Sequence, residues 1–145
     1  MSIPDPEPGL VIRYSYLWLH EAATGKEEGT KDRPAVVVIT LKNEDGKKRV
    51  AVVPITHSPP TKPENALQLP APVKKRLGLD DEASWIVLTE VNVFTWPGPD
   101  LRPISREKPT KMAFGYLPAR LTQMIIDGLR ANNKRGAKKM VKRTD

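Results

Sequence analysis

The sequence contains no cysteine and only two histidines. Without cysteine the chain has no disulfide framework, no thiol nucleophile and no zinc site built on thiolates. Two histidines also argue against a metal centre, so we expect neither a metal nor a cofactor. No apolar run approaches the ~20 residues that a membrane-spanning helix needs, and the amino-terminal segment has no apolar signal-peptide core. We therefore expect a soluble, cytoplasmic protein.

Glycine is also scarce relative to proline, with nine glycines against fifteen prolines. Proline interrupts helices and strand ladders, so this balance favours short strands with irregular connections over an all-helical protein. A chain of 145 residues with 39% hydrophobic content can build one modest core. We expect a single domain over residues 1–133, mainly β with short helices (α+β).

Basic residues exceed acidic ones and give the chain a net charge of +7. Much of this excess lies in residues 134–145, which carry six basic residues and one aspartate and which we expect to form a disordered tail. A basic protein favours a polyanionic partner, and nucleic acid is the leading class.

Two apolar runs rich in β-branched residues dominate the first half of the chain, at residues 35–39 and 50–55. Such residues suit a buried strand, and the turn-forming sequence at 43–46 predicts that the runs pair as an antiparallel hairpin. Arg33 begins the first strand, whereas Thr56 and His57 end the second. An antiparallel hairpin therefore predicts a cation, a hydroxyl and an imidazole at one rim of the sheet.

The rest of the chain divides by pattern into strands, loops and helices. Alternating apolar residues predict a strand over 10–18, and two glycines among charges predict a surface loop before Arg33. A proline start and a glycine stop predict a short helix over 72–77. Further predictions are an edge strand at 67–69, one long central strand over 85–94, a short strand within 101–112, and an amphipathic carboxyl-terminal helix over 117–129.

Several short motifs together resemble the MazF/PemK family of toxin–antitoxin endoribonucleases. They are Pro8–Val11, Gly25–Gly29, Arg33–Val37, Pro54–Thr56 and Ser84–Phe94, in the family's order over most of the first 105 residues. The resemblance implies an SH3-like barrel of the CcdB/MazF/PemK type and a homodimer. It also implies a toxin that cuts single-stranded mRNA without metal, leaving 2′,3′-cyclic phosphate and 5′-hydroxyl ends, and that is restrained by an acidic antitoxin.

The resemblance also assigns roles to single residues. Arg33 matches the family's arginine before proline, which has acid/base and phosphate roles, and Thr56 matches its catalytic threonine. Arginine is a poor proton carrier because its pKa lies far above neutral pH, so stabilisation of phosphate charge is its better role.

His57 is a further catalytic candidate, because histidine is the side chain that ordinarily titrates near neutrality. Two alternatives stay open: an acid/base residue, if the chain bends before the prolines at 59 and 60, or a loop histidine, if the strand continues and alternation turns the imidazole away from Thr56.

We expect substrate contacts from four further residues. Glu27 and Lys31 lie in the loop before Arg33, and Ser58 follows His57. Asn92 stands where some members of the family carry a basic residue.

Three functions remain open at the level of sequence. The first is the metal-independent endoribonuclease, the second is a toxin of the same fold that binds another macromolecule such as gyrase, and the third is an inactive RNA-binding or regulatory relative. A fold alone does not choose between them, because function belongs to sites.

Overall fold

The computed structural model describes residues 4–23, 32–42, 45–107, 110–134 and 139–142. Within these ranges nine strands form one sheet, with three α-helices beside it. The strands are β1 (Leu10–Tyr14), β2 (Arg33–Lys42), β3 (Lys48–Thr56), β4 (Ala66–Gln68), β5 (Trp85–Val87), β6 (Glu90–Trp96), β7 (Leu101–Arg102), β8 (Ala113–Tyr116) and β9 (Lys139–Lys142). The helices are α1 (Leu19–Ala23), α2 (Ala71–Leu77) and α3 (Ala119–Lys134). The predicted class, mainly β with a few helices, is confirmed.

The sheet branches at β3 and at β1. Its hydrogen-bonded order runs β4, β5, β3, β2, β1 and β7, while β6 pairs with β3 beside β5, and β8 pairs with β1 beside β7. Every ladder is antiparallel except the one between β6 and β9. Among the described residues no ladder joins the two outer edges, so the sheet is open there. None of the described helices combines the length and the apolar character needed to cross a membrane.

The predicted hairpin is confirmed by the ladder between β2 and β3, which pairs Ala35 with Pro54 and Val36 with Val53. Successive side chains of β2 enter different apolar clusters: Val36 packs in one, and Ala35 and Val37 pack in the other. Both faces of the strand are therefore buried, which accounts for its continuous apolar run.

Helices α2 and α3 cover one of these two clusters, the one that contains Val36. Leu121, Ile125 and Leu129 of α3 are buried in it, as the predicted amphipathic stripe requires. Helix α2 ends at Gly78, whose φ of 74° is the left-handed conformation that glycine adopts without strain. The predicted helix at 72–77 and the predicted edge strand, observed as β4, are thus confirmed.

The prediction of one unbroken strand over residues 85–94 is wrong. The segment forms β5 and β6, separated at Leu88 and Thr89. The Leu88 amide donates to the Asn65 carbonyl at 2.8 Å, and the Leu88 carbonyl accepts from Asn132 Nδ2 of α3 at 2.8 Å. Partners distant in sequence therefore take the Leu88 backbone out of the ladder.

The ends of two further predictions need correction. The strand predicted over residues 10–18 ends at Tyr14, and part of the predicted loop after it is α1. The predicted tail, residues 134–145, is not wholly disordered. Lys134 is the last residue of α3, and β9 pairs in parallel with β6 through partners such as Val141 and Asn92.

Candidate functional site

One cleft, of about 750 Å³, lies at the rim where β2 begins and β3 ends. Its walls include four of the residues predicted for the site: Arg33, Thr56, His57 and Ser58. The structure therefore brings the three predicted catalytic side chains into a single concave surface.

The register of the hairpin determines this arrangement. The ladder of β2 and β3 pairs Ala35 with Pro54, so Arg33 and Thr56 each lie two residues beyond this pair at the same end of the hairpin. Arg33 itself pairs with Tyr14 of β1. Its backbone therefore lies in a paired strand rather than in a free loop.

The Arg33 guanidinium is half buried beside Trp18, with its central carbon 4.9 Å from the centroid of the indole ring. Burial lowers the pKa of Arg33, and the negative charge of Glu21 opposes this effect. Arginine is still a cation at neutral pH, because its ordinary pKa is so high. Among the described residues, Arg33 Nε is buried without a hydrogen-bond acceptor, so the guanidinium has donor capacity that this part of the chain does not use.

The acid next to Arg33 in the chain, Asp32, is paired with other arginines. Asp32, which also lines the cleft, lies 3.8 Å from the Arg13 guanidinium and 3.7 Å from that of Arg102. Asp32 is thus ion-paired with one arginine of β1 and one of β7.

Thr56 is the last residue of β3 and is partly exposed to the cleft. Its Oγ1 accepts a hydrogen bond from the Ser58 amide at 3.2 Å. Since the oxygen acts as the acceptor in this bond, the hydroxyl hydrogen can be donated to another group, such as a phosphate oxygen.

The structure answers the question of where His57 points. Strand β3 ends at Thr56, the chain bends at His57 and Ser58, and the imidazole lines the same cleft as Thr56. His57 Nε2 lies 2.8 Å from Asp80 Oδ2. The bend on which the acid/base alternative depends is therefore present, and proton transfer by His57 stays a prediction.

Asp80 is bound to a buried lysine, Lys74. The Lys74 ammonium donates to Asp80 Oδ1 at 2.6 Å, to Ser84 Oγ at 2.6 Å and to the Glu82 carbonyl. Its side chain is only 6% exposed. The hydrogen bond from Lys74 is the main reason that the pKa of Asp80 lies below its ordinary value, and a second bond with His57 acts in the same direction.

The remaining predicted residues do not join this group. Asn92 is fully buried, with its side chain bonded to the Leu17 amide at 2.9 Å and the Leu17 carbonyl at 2.8 Å. It does not line the cleft, so its predicted contact with substrate is a misassignment: its amide holds the chain between β1 and α1. Glu27 and Lys31 lie outside the described residues.

One group in the described part of the chain has the donor types of a metal site. The ligand atoms of His57, Asp80 and Glu82 lie within 4.8 Å of one another. All three side chains are exposed, and Asp80 is already bound to the Lys74 ammonium. We assign no metal to them.

No protein-family model and no curated protein matches this chain.

Trp18, Lys74 and Asp80 are among the cleft residues that the sequence did not predict. Trp18 continues an alternating aromatic pattern that is typical of core packing, and Lys74 begins a run of three basic residues that is typical of a solvent-exposed helix face. The acidic turn after α2 is the only local signal that a partner for Lys74 lies close by.

Proposed function

We propose that this protein is a metal-independent endoribonuclease of the MazF/PemK type, cutting single-stranded RNA in the cleft at the β2–β3 rim. The observation that carries the proposal is that Arg33, at the start of β2, and Thr56, at the end of the neighbouring strand β3, line one cleft together with His57. The finer fold assignment, an SH3-like barrel, belongs to the same proposal. The antiparallel pairing of β1, β2 and β3, with both faces of β2 buried, supports it.

The reaction requires three events at one phosphodiester. The 2′-oxygen attacks phosphorus as its proton passes to a base, charge builds on the non-bridging oxygens, and the bond to the 5′-oxygen breaks as that oxygen takes a proton. Arg33 can offer forked N–H donors to the charged oxygens, and the Thr56 hydroxyl can donate to the same group. His57 has a residue type suited to accept and return the proton. The products are a 2′,3′-cyclic phosphate and a 5′-hydroxyl.

Aromatic side chains beside Arg33 favour a single-stranded substrate. The Trp18 and His20 rings are nearly parallel, with an interplanar angle of 20° and centroids 6.3 Å apart, and both residues line the cleft. Unpaired bases stack on such surfaces, whereas the bases of a duplex are already stacked on each other.

The deciding experiment incubates the protein with an end-labelled single-stranded RNA in EDTA and analyses the positions and ends of the cuts. We expect cyclic phosphate ends, and loss of cutting in Arg33→Ala and Thr56→Val. Arg130→Ala is the matched control, because Arg130 is exposed on α3 and does not line the cleft. Cleavage that stops in chelator, or that persists in Arg33→Ala, would refute the assignment. RNA binding without cutting would favour a regulatory relative instead.

The proposal includes the partners that the resemblance implies, a second copy of the chain and an acidic antitoxin segment. The Arg33 guanidinium, whose Nε has no hydrogen-bond acceptor among the described residues, supports an acidic occupant. Light scattering at micromolar concentration tests the homodimer, and a monomeric mass would exclude it.

A further inference from the structure

Asp80 is held in place from two sides. Its Oδ1 accepts from the Lys74 ammonium at 2.6 Å and from the Glu82 amide at 3.1 Å, while its Oδ2 lies 2.8 Å from His57 Nε2. Lys74 itself is fixed by burial and by two further acceptors, Ser84 Oγ and the Glu82 carbonyl. The two oxygens of Asp80 thus have different partners, one towards the protein and one towards the cleft.

This arrangement determines which ring nitrogen of His57 carries the proton. The hydrogen bond from Lys74 keeps the pKa of Asp80 low, so the carboxylate is ionised near neutral pH. An ionised carboxylate only accepts hydrogen bonds, so the nitrogen that faces it must be the donor. In the neutral imidazole Nε2 then bears the hydrogen, and Nδ1 has the lone pair that can take a proton.

The structure assigns Asp80, anchored by Lys74, as the positioning residue that holds His57 with its proton on Nε2 and makes Nδ1 the basic atom for removing the 2′-hydroxyl proton of RNA. This assignment rests on the proposed ribonuclease function. Asp80 acts through His57 and needs no contact with the substrate.

A second carboxylate nearby provides the matched control. Glu82 Oε2 also approaches His57 Nε2, but at 3.8 Å, and its side chain is 70% exposed. Its charge is close to that of Asp80, yet it lies beyond hydrogen-bond distance. Glu82→Gln therefore removes a similar charge and leaves the orienting bond intact.

Asp80→Asn tests the assignment sharply, because Lys74 should orient the new amide. Its oxygen should face the ammonium, so its NH₂ group should face His57 Nε2 and convert that nitrogen into an acceptor. The hydrogen would then move to Nδ1, and the basic atom would be lost without any change in the size of the side chain.

The experiment uses the full-length protein labelled with ¹⁵N in histidine, of which the chain has only His20 and His57. Nitrogen chemical shifts at mildly alkaline pH report which ring nitrogen is protonated. We expect Nε2–H at His57 in the parent and in Glu82→Gln, and Nδ1–H in Asp80→Asn, with His20 unchanged. A proton on Nδ1 in the parent, or no change in Asp80→Asn, would overturn the assignment.

Single-turnover cleavage of one RNA oligonucleotide gives the second readout. Loss of a positioned base costs about 10²–10⁴-fold in rate, so we expect a loss of that order in Asp80→Asn and in His57→Ala, and no larger loss in the double variant. RNA affinity should stay within a few-fold. If the parent does not cut RNA, the proposed function fails; if it cuts and Asp80→Asn behaves like Glu82→Gln, only the role of Asp80 fails.

Discussion

The Arg33 guanidinium and the Trp18 indole are in contact as a cation and a ring face, 4.9 Å apart. Such contacts contribute about 0.5–2 kcal/mol, depending on solvent exposure. Both residues line the cleft together with Thr56. Trp18 therefore links the end of the first strand to the cation of the candidate site.

Replacement of Trp18 by leucine should slow RNA cleavage by about 2- to 30-fold, the equivalent of losing that contact energy. Trp18→Phe should lose less, because a ring face remains. Single-turnover rates on one oligonucleotide check this. Trp96→Leu is the control, since Trp96 donates to the Pro4 carbonyl and does not line the cleft; equal losses in the two leucine variants would contradict the role of Trp18.

Asn92→Ala should destabilise the fold. The substitution leaves the amide and the carbonyl of Leu17 without the buried side chain to which they bond. Each unsatisfied buried group costs about 1–3 kcal/mol. Denaturant unfolding measures the loss. Asn133→Ala is the control, because Asn133 is an exposed asparagine on α3. A loss no greater than that of the control would show that the bonds contribute little.

The stability of the protein should depend on pH through Glu90. Burial raises the pKa of Glu90 above its ordinary value, although its carboxylate accepts from the Leu19 amide at 3.0 Å and the Tyr16 hydroxyl at 3.2 Å. The folded state therefore binds this proton more tightly than the unfolded chain. Its stabilising effect is fully present below the unfolded pKa and is lost as pH rises through the folded value.

Glu90→Gln removes this titration but keeps an oxygen that can accept both bonds. We expect the variant to gain stability relative to the parent as the pH rises from acid to neutral. Unfolding in urea at a series of pH values measures the difference. Glu64→Gln, at an exposed position, should show no such trend; a constant difference for Glu90→Gln would contradict the prediction.

Gly9→Ala should cost more stability than Gly46→Ala. Both glycines have positive φ, 96° and 82°, which strains any residue with a side chain. At Gly9 a new Cβ would also lie 2.7 Å from Thr122 Oγ1 of α3, whereas at Gly46 it would meet nothing within 4 Å. We expect a loss of about 1–3 kcal/mol at Gly9, from strain and overpacking together. Thermal unfolding of both variants measures the two losses of stability. Equal losses would show that the contact between the new Cβ and Thr122 has no cost.

The sequence predicted those elements of the fold that are determined by residues close together in the chain. The hairpin, the α2 stop at Gly78 and the apolar stripe of α3 each follow from residues adjacent in the chain. The break at Leu88 does not, because the partners of its backbone, the Asn65 carbonyl and the Asn132 side chain, are distant in sequence. Strand β9 was missed because its lysines are typical of a disordered basic tail. Its pairing also depends on the edge of β6, which is distant in sequence.

The candidate site was also predictable only in part. Arg33 and Thr56 mark the ends of predicted strands, so an antiparallel pairing was enough to bring them together. Asn92 was misassigned because the sequence does not show whether an asparagine side chain is exposed or forms hydrogen bonds with buried backbone groups. Asp80 could not be linked to His57, because 23 residues separate them and only the folded loop after α2 joins them.

Strands β2 and β3 are apolar on both faces, and this has a consequence for the precision of the cleft. In most half-buried strands a slip of one residue would expose the apolar side chains to water, and this penalty selects the correct alignment. Here the slipped alignment would still bury valines on both sides, so burial discriminates weakly between the two. The alignment must instead be selected by features that occur once, such as the irregularity between Val37 and Ile39 and the proline at position 54. An insertion of one residue in this hairpin would therefore be tolerated by the core while it moved Arg33 away from Thr56.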